Sequence, residues 1–243
     1  MKATIITATR NDAPTIRSTM LSVLEQSHAD IDYIVVDGMS TDGASDIIDS
    51  ISLTDRRVRV VRERDNGVYQ AINKGIALGE GEIVGTLHGN DRFTGGDVLA
   101  KVVEAFEENS DIDVVFGDVH FENKKGIIVR HYSSAAFTPE KLLIGIAPPH
   151  PSLYVRRSVF DRFGFYKEDY LIGADFDMFL RLLYVNKVGY LRLGIDMVAM
   201  SLGGLSTQLF HRIVTNNREK YRALRENGVN VSRFALLKRY FYR

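Results

Sequence analysis

Between residues 3 and 118 the chain alternates short β-branched apolar runs with stretches whose apolar positions recur every three to four residues. The runs Ala3–Thr9, Ile31–Asp37, Arg57–Arg62, Glu82–Leu87 and Asp113–Asp118 predict strands. The periodic stretches Ala13–Gln26, Asp42–Ile51, Val68–Leu78 and Gly96–Glu108 predict helices, the first with Asn11 or Asp12 as cap and Pro14 in its opening turn. This alternation predicts right-handed crossover units and a mostly parallel sheet covered on both faces.

Past residue 118 the pattern loosens. His120–Tyr132 reads as an antiparallel hairpin turning at Asn123-Lys124-Lys125-Gly126, and 138–144 as a short helix. Ser152–Val155 predicts a strand, Arg157–Phe163 a helix, and Ala174–Tyr184 a strongly amphipathic helix. Val188–Leu193 and Met197–Leu202 predict two strands. Gly203-Gly204 then breaks the chain ahead of a basic helix over 207–227, which Gly228 ends. Val231–Tyr242 has room for one more short helix.

Composition narrows the class. The 243 residues are 45% hydrophobic, which suits one large domain, or one domain with a C-terminal appendage. Cysteine is absent, which excludes disulfides, thiolate metal sites and a cysteine nucleophile. The 31 basic and 31 acidic residues give no net charge to attract nucleic acid. The charge is uneven, however: residues 211–243 hold nine Lys or Arg against Glu219 and Glu226. Lys2 leads straight into a strand-like run, and no apolar stretch nears the ~18 residues of a spanning helix. A cytoplasmic protein is expected, with a surface-seeking tail.

Candidate chemistry clusters at strand ends. Ile31–Val36 stops at Asp37, ahead of the small-residue turn Gly38–Gly43. Ligands of open α/β sheets bind outside the carboxyl ends of strands, so Asp37 can accept from a base or a ribose. The same stretch also reads as a plain junction capped by Ser40 or Thr41. The first strand ends in Thr7-Ala8-Thr9-Arg10-Asn11, without the glycines of a dinucleotide turn, and no P-loop pattern occurs. Asp65 follows the third strand, and Gly67 opens a helix that carries Tyr69, Asn73 and Lys74 near a phosphate-attracting N-terminus. His88-Gly89-Asn90-Asp91 ends the fourth strand. Asp91 offers a hard oxygen ligand, Asn90 a carbonyl, and His88 a nitrogen ligand if the cation is manganese. Asp175 and Asp177 start an apolar-faced helix, two residues apart and so pointing apart. His150 stands in the stiff loop Pro148–Pro151, and Gly203–Thr207 reads either as a flexible loop or as a helix lead-in capped by Ser206 or Thr207.

The segments VVDGMSTDG at 35–43, DNGVYQAINKG at 65–75, GEIVGTL at 81–87, HPSLYVRRSVF at 150–160 and GADFDMFLRL at 173–182 together resemble the family 2 glycosyltransferases, inverting enzymes of GT-A fold, in their bacterial polysaccharide-building form. The resemblance covers about residues 3–207. It implies an α/β fold with a Rossmann-like, mostly parallel sheet, a smaller antiparallel acceptor-side part, and C-terminal helices. Residues 1–207 would form the GT-A domain, with 1–118 the nucleotide-binding half and 119–207 the acceptor half, and 208–243 a basic helical extension. Asp37 would contact the uracil or ribose of a UDP-sugar, with Thr7, Thr9 and Arg10 lining the base pocket. Asp65, Tyr69, Lys74 and Asn90 would lie along the donor. Asp91 would carry Mg²⁺ or Mn²⁺, with His88 as a further ligand, since the family's usual two or three acids are here reduced to one. Asp175 would be the catalytic base, with Asp177 and His150 on the acceptor side.

The reaction so implied is a single displacement at the anomeric carbon, delivering the sugar to a hydroxyl of a saccharide or lipid-diphosphate-linked saccharide acceptor. The basic segment 231–243 would attach the protein to the inner membrane face through anionic headgroups, or else pack on its own domain or on a second subunit as a homodimer. Two other readings stand beside this one: a sugar nucleotidyltransferase, which lacks its Gly-rich loop here, and a non-catalytic nucleotide- or sugar-binding homologue.

Overall fold

A computed structural model describes residues 1–201, 209–232 and 234–240. The first half follows the expected alternation: β1 (Ala3–Thr9), α1 (Ile16–Leu24), β2 (Ile31–Asp37), α2 (Ala44–Ser52), β3 (Val58–Arg62), α3 (Val68–Leu78) and β4 (Ile83–Thr86). After it come β5 (Asp91–Phe93), α4 (Val98–Glu108), β6 (Val114–Glu122), β7 (Ile128–Tyr132), β8 (Tyr154–Arg156), α5 (Arg157–Phe163), α6 (Ala174–Phe179), β9 (Tyr190–Ser201) and α7 (Leu209–Glu226).

The nine strands among the described residues join one sheet in the order β3-β2-β1-β4-β8-β6-β9-β5, with β7 paired to β6. β1, β2, β3 and β4 are mutually parallel, and Thr9 pairs with Asp37 at their shared carboxyl edge. β8 runs antiparallel between β4 and β6, and β9 is parallel to β6. Side chains alternate across the sheet as strands require. Ile5, Tyr33 and Val35 face α1, α2 and α4, while Ile6, Ile34 and Val36 face α3 in a core that extends to α6 and α7. α3 sits close because Gly75 has no side chain; a Cβ there would fall 2.5 Å from Cγ2 of Ile6.

Several boundaries differ from the expected ones. α1 begins at Ile16 rather than Ala13, because residues 12–15 turn tightly and the Asp12 carbonyl takes the Ile16 N–H. α2 is preceded by Gly43 in the left-handed region (φ 94°), a conformation that Ser40 and Thr41 as caps would not supply. In place of the two strands expected at 188–193 and 197–202, Tyr190–Ser201 forms the single strand β9, since extra residues around Gly194–Asp196 are absorbed as irregularities against Phe116–Val119 of β6, and Leu202 lies outside the described residues. The helix of 174–184 is α-helical only to Phe179 and continues as a π-turn over Leu180–Val185. A 3₁₀ turn occupies Pro139–Ile144, and another, Ala235–Tyr240, stands in the tail. The Gly203-Gly204 break and the loop to Thr207 lie outside the described residues.

Candidate active site

The parallel edge of the sheet opens into a cavity of about 560 Å³ lined by Thr9, Arg10, Asp12, Gly38, Asp65 and Gly67. Thr9 donates to Asp12 Oδ2 at 2.8 Å, and Arg10 stands exposed with Gly38 beneath its aliphatic stem. One Asp65 oxygen takes the Lys74 ammonium, which also pairs with Glu63 at 2.8 Å. The other Asp65 oxygen is buried without a partner among the described residues.

Asp37 lies beneath this cavity rather than in its lining. It is fully buried and accepts from Ser40 N at 2.9 Å, Ser45 Oγ at 2.6 Å and Arg62 Nε at 3.0 Å. Burial alone would raise its proton affinity; the hydrogen bonds from Ser40, Ser45 and Arg62 outweigh it and hold the carboxyl below its ordinary range. Its immediate task is to fix the turn that carries Gly38. Thr7 likewise stays inside the sheet, bonded to the Tyr33 hydroxyl at 2.9 Å.

Tyr69 and Asn73 reach the other half of the molecule. Tyr69 is buried, stacked on Tyr166 at 6.0 Å, and its hydroxyl stands close to the backbone of Ala174 and Asp175. Asn73 exchanges hydrogen bonds with the Tyr166 backbone at 2.8 and 3.1 Å. The helix that follows Asp65 therefore braces the start of α6.

Asp91 is the first residue of β5, a three-residue strand held against β9, and is 1% exposed. Neither of its oxygens has a partner among the described residues. Burial, with a smaller contribution from Asp12, pushes its pKa up to about 7. Gly89 is wedged over Thr9, with its carbonyl accepting from Thr15 at 2.9 Å and Thr19 at 3.1 Å; a Cβ there would lie 2.4 Å from Thr9 Oγ1. Asn90 is partly exposed. His88 stacks on His150 at 5.9 Å, and burial followed by His150 lowers its pKa to about 4, against the pull of Asp175 and Asp12. His88 thus feels both the donor-side Asp12 and the far-side Asp175.

A second cavity, about 400 Å³, lies between β6, the 147–151 loop, α6 and α7, and Asp175, His150, Asn216 and Lys220 line it. Asp175 accepts the Phe176 N–H at 2.7 Å. Burial raises its pKa, and Lys220 opposes that rise. His150 is buried, bonded through Nε2 to the Tyr166 hydroxyl at 2.9 Å, and burial lowers its pKa to about 4.

Asp177 departs from its expected acceptor-side place. It is fully buried and pairs with Lys167 at 2.9 Å, Arg181 at 2.8 Å and Asn227 at 2.8 Å. The helical twist between positions 175 and 177 sends one carboxylate to the cavity and the other into this anchor. A different set of ligand-type atoms, on Asp118, His131 and Asp196, lies within 4.8 Å of one another. Asp118 is already committed there to Ser133, Ser134 and Arg192, which makes it an ion-pair network.

Asp12, Asn216, Glu219 and Lys220 were not singled out in the sequence. Asp12 reads as a helix cap, and the three α7 residues sit in a polar, basic stretch where nothing marks an inward face.

The chain matches the family model for glycosyl transferase family 2 over residues 4–164. It is 30% identical over 178 residues to a PGL/p-HBAD biosynthesis glycosyltransferase of Mycobacterium bovis, spanning 73% of this chain and 68% of that one. It is 31% identical over 188 residues to an uncharacterized glycosyltransferase of Mycobacterium tuberculosis, spanning 74% and 68%. Among solved structures, the fold is similar to Staphylococcus aureus TarS 1-349, with a TM-score of 0.73 at 17% identity over 99% of this chain and 72% of that one. With its Rossmann-like sheet and its cleft at the strand ends, the chain belongs to glycosyl transferase family 2 and is a glycosyltransferase of GT-A fold.

Proposed function

We propose that the protein moves a sugar, with inversion, from a nucleotide sugar in the 560 Å³ cavity to a hydroxyl held in the 400 Å³ cavity. The observation that carries this is Asp175: a carboxylate of raised proton affinity, lining the second cavity and coupled electrostatically to His88 at the end of β4. A base with elevated pKa takes a hydroxyl proton more readily, and one positioned base contributes roughly 10²–10⁴-fold in rate. Asp175 takes the acceptor proton as the oxygen attacks opposite the leaving diphosphate. Tyr69 and Asn73 hold α6 and the 166 loop so that the carboxylate keeps its aim. Arg10 at the cavity rim and Lys74 beside Asp65 supply positive charge along the donor.

A UDP-sugar is the proposed donor. TarS 1-349 has been solved with UDP-GlcNAc, and a mannosyltransferase from Pyrobaculum calidifontis, similar in fold (TM-score 0.68, 17% identity), with GDP-Man and Mn²⁺. The residues around Asp91 fit a hard divalent cation, Mg²⁺ or Mn²⁺: its two oxygens are unpartnered, Asn90 is adjacent, and His88 stays neutral at pH 7. Such a cation, when bound, neutralises charge developing on the diphosphate.

The acceptor we propose is a saccharide on a lipid diphosphate, in bacterial cell-surface polysaccharide synthesis at the inner face of the membrane. Phe234 and Leu237 are 75% and 47% exposed, next to exposed Lys238, on the same side of a 3₁₀ turn. No helix among the described residues is long and apolar enough to cross a membrane.

The test is UDP release from a panel of UDP-sugars, with a bacterial lipid extract as acceptor. Asp175→Asn lowers release by about 10²-fold or more and leaves UDP-sugar thermal stabilisation in place. Equal turnover in the two proteins eliminates Asp175 as base.

A further inference from the structure

One lysine stands where the acceptor has to lie. Lys220, on α7, lines the same cavity as Asp175, His150 and Asn216. Its ammonium rests over the Phe176 ring at 5.0 Å and donates to the Gly145 carbonyl at 2.7 Å. Both partners are neutral, and an ammonium has three donors to place. The acid that acts on it electrostatically is Asp175, the base itself. Arg239 adds a like charge, with Nη1 at 3.5 Å from the same carbonyl.

Keeping a cation in such a wall is costly unless a counter-charge faces it. Burial, with a lesser contribution from Arg239, lowers the Lys220 pKa only to about 8, so the ammonium persists at neutral pH. One helical turn earlier, Asn216 lines the same space, and its Oδ1 is buried without a partner among the described residues. A charged donor and a free amide acceptor therefore lie side by side in the wall that also carries Asp175 and His150.

We propose that this patch recognises an anionic substituent on the acceptor, a carboxylate or a phosphate, which pairs with Lys220 while Asn216 accepts from a neighbouring hydroxyl. This rests on the glycosyl-transfer reading above and names the acceptor class for it. A bound anion supplies a contact ion pair, which Lys220 does not have among the described residues, and leaves Asp175 free to take the hydroxyl proton. A lysine that served only to keep Asp175 ionised would treat neutral and charged acceptors alike.

The test is equilibrium binding by NMR titration of the full chain with UDP present, using methyl β-glucoside, methyl β-glucuronide and glucose 6-phosphate. One of the two anions binds about tenfold tighter than the neutral glucoside, a difference of ~1.4 kcal/mol. The stronger of the two anions tells a uronate from a phosphate. Lys220→Met removes the preference for the anion over the glucoside, and Lys220→Arg restores most of it. Equal binding of all three, binding by none, or a preference that survives Lys220→Met overturns the inference. UDP affinity in the same samples separates the two levels. Retained UDP binding without anion preference removes only this inference, whereas wild-type protein that binds no UDP removes the glycosyl-transfer reading as well.

Discussion

The carboxylate of Glu219 accepts the backbone N–H of Ile172 at 2.9 Å, and its other oxygen takes the Leu171 N–H at 2.8 Å. Ile172 is three residues ahead of Asp175, so α7, which lies beyond the residues matched by the family model, sets the entry into the helix that bears the proposed base. Gly173 fits beneath the same side chain; a Cβ there would be 2.9 Å from Glu219 Cβ. Glu219→Ala leaves two amides without their acceptor, at about 1–3 kcal/mol. We expect a lower melting temperature, a fall in kcat of about tenfold or more and an unchanged donor KM. Glu219→Gln, which keeps one acceptor oxygen, falls between. A full-rate Glu219→Ala enzyme would show that the loop holds its shape unaided.

Asp175 and Asp177 should part ways under substitution. Asp177→Ala strands Lys167 and the largely buried Arg181 without their shared partner. Removing one member of a buried pair costs about 3–5 kcal/mol. Asp175→Asn removes a desolvated charge, so the protein melts at the same temperature or higher while transfer is lost. Differential scanning calorimetry beside the UDP-release assay checks both. An Asp177→Ala protein as stable as wild type would show that the network contributes nothing.

That division was only half legible in the sequence. A two-residue spacing on a helix says that the carboxylates diverge, but not which one meets the cavity; that depends on Lys167, Arg181 and Asn227, residues from three separate segments. The β1–β4 layer was legible because each strand is a local run with its own period. β5 was not, since three residues become a strand only through pairing with β9, about a hundred positions on. Asp37 and Tyr69 stood out in the sequence as donor contacts, yet what they touch depends on where Arg62, Ser45 and α6 arrive. Lys220 carried no mark at all. Its burial comes from packing over Phe176, and a basic helix reads as solvated.

The imidazoles of His88 and His150 give the fold an acid-sensitive spot. Burial holds both near pKa 4, below the ~6.5 of an unfolded histidine. The native state therefore binds fewer protons than the unfolded chain between those values. The stability concerned is complete above pH 6.5 and is lost as pH falls towards 4, by up to ~1.4 kcal/mol per unit for each ring. Asp91 acts with the opposite sign: held near 7, it favours the native state as pH falls from 7 towards 4. The contribution of one histidine is isolated by difference. His150→Gln, whose amide can still meet the Tyr166 hydroxyl, loses stability at pH 7, and its gap to wild type narrows on acidification to pH 4.5. Urea melts across that range measure it. A gap that stays constant would mean that His150 titrates alike in both states.

The tail offers its two sides to different neighbours. Leu236 is 3% exposed and packs in the main core with Ala223 and Leu224, whereas Phe234 and Leu237 face outward beside Lys238. Truncation would therefore damage the domain as well as the proposed membrane contact, and substitution of the outer face is the cleaner experiment. Burying two apolar side chains in a headgroup layer gains about 1.5–3 kcal/mol each, and each nearby Lys or Arg adds ~1 kcal/mol on an anionic surface. Phe234→Ser with Leu237→Ser should keep the melting temperature and cut flotation on phosphatidylglycerol vesicles by about tenfold or more, with little flotation of either protein on phosphatidylcholine. If the double variant floats as well as wild type, the outer face does not touch lipid, and a second subunit becomes its natural cover, to be checked by sedimentation.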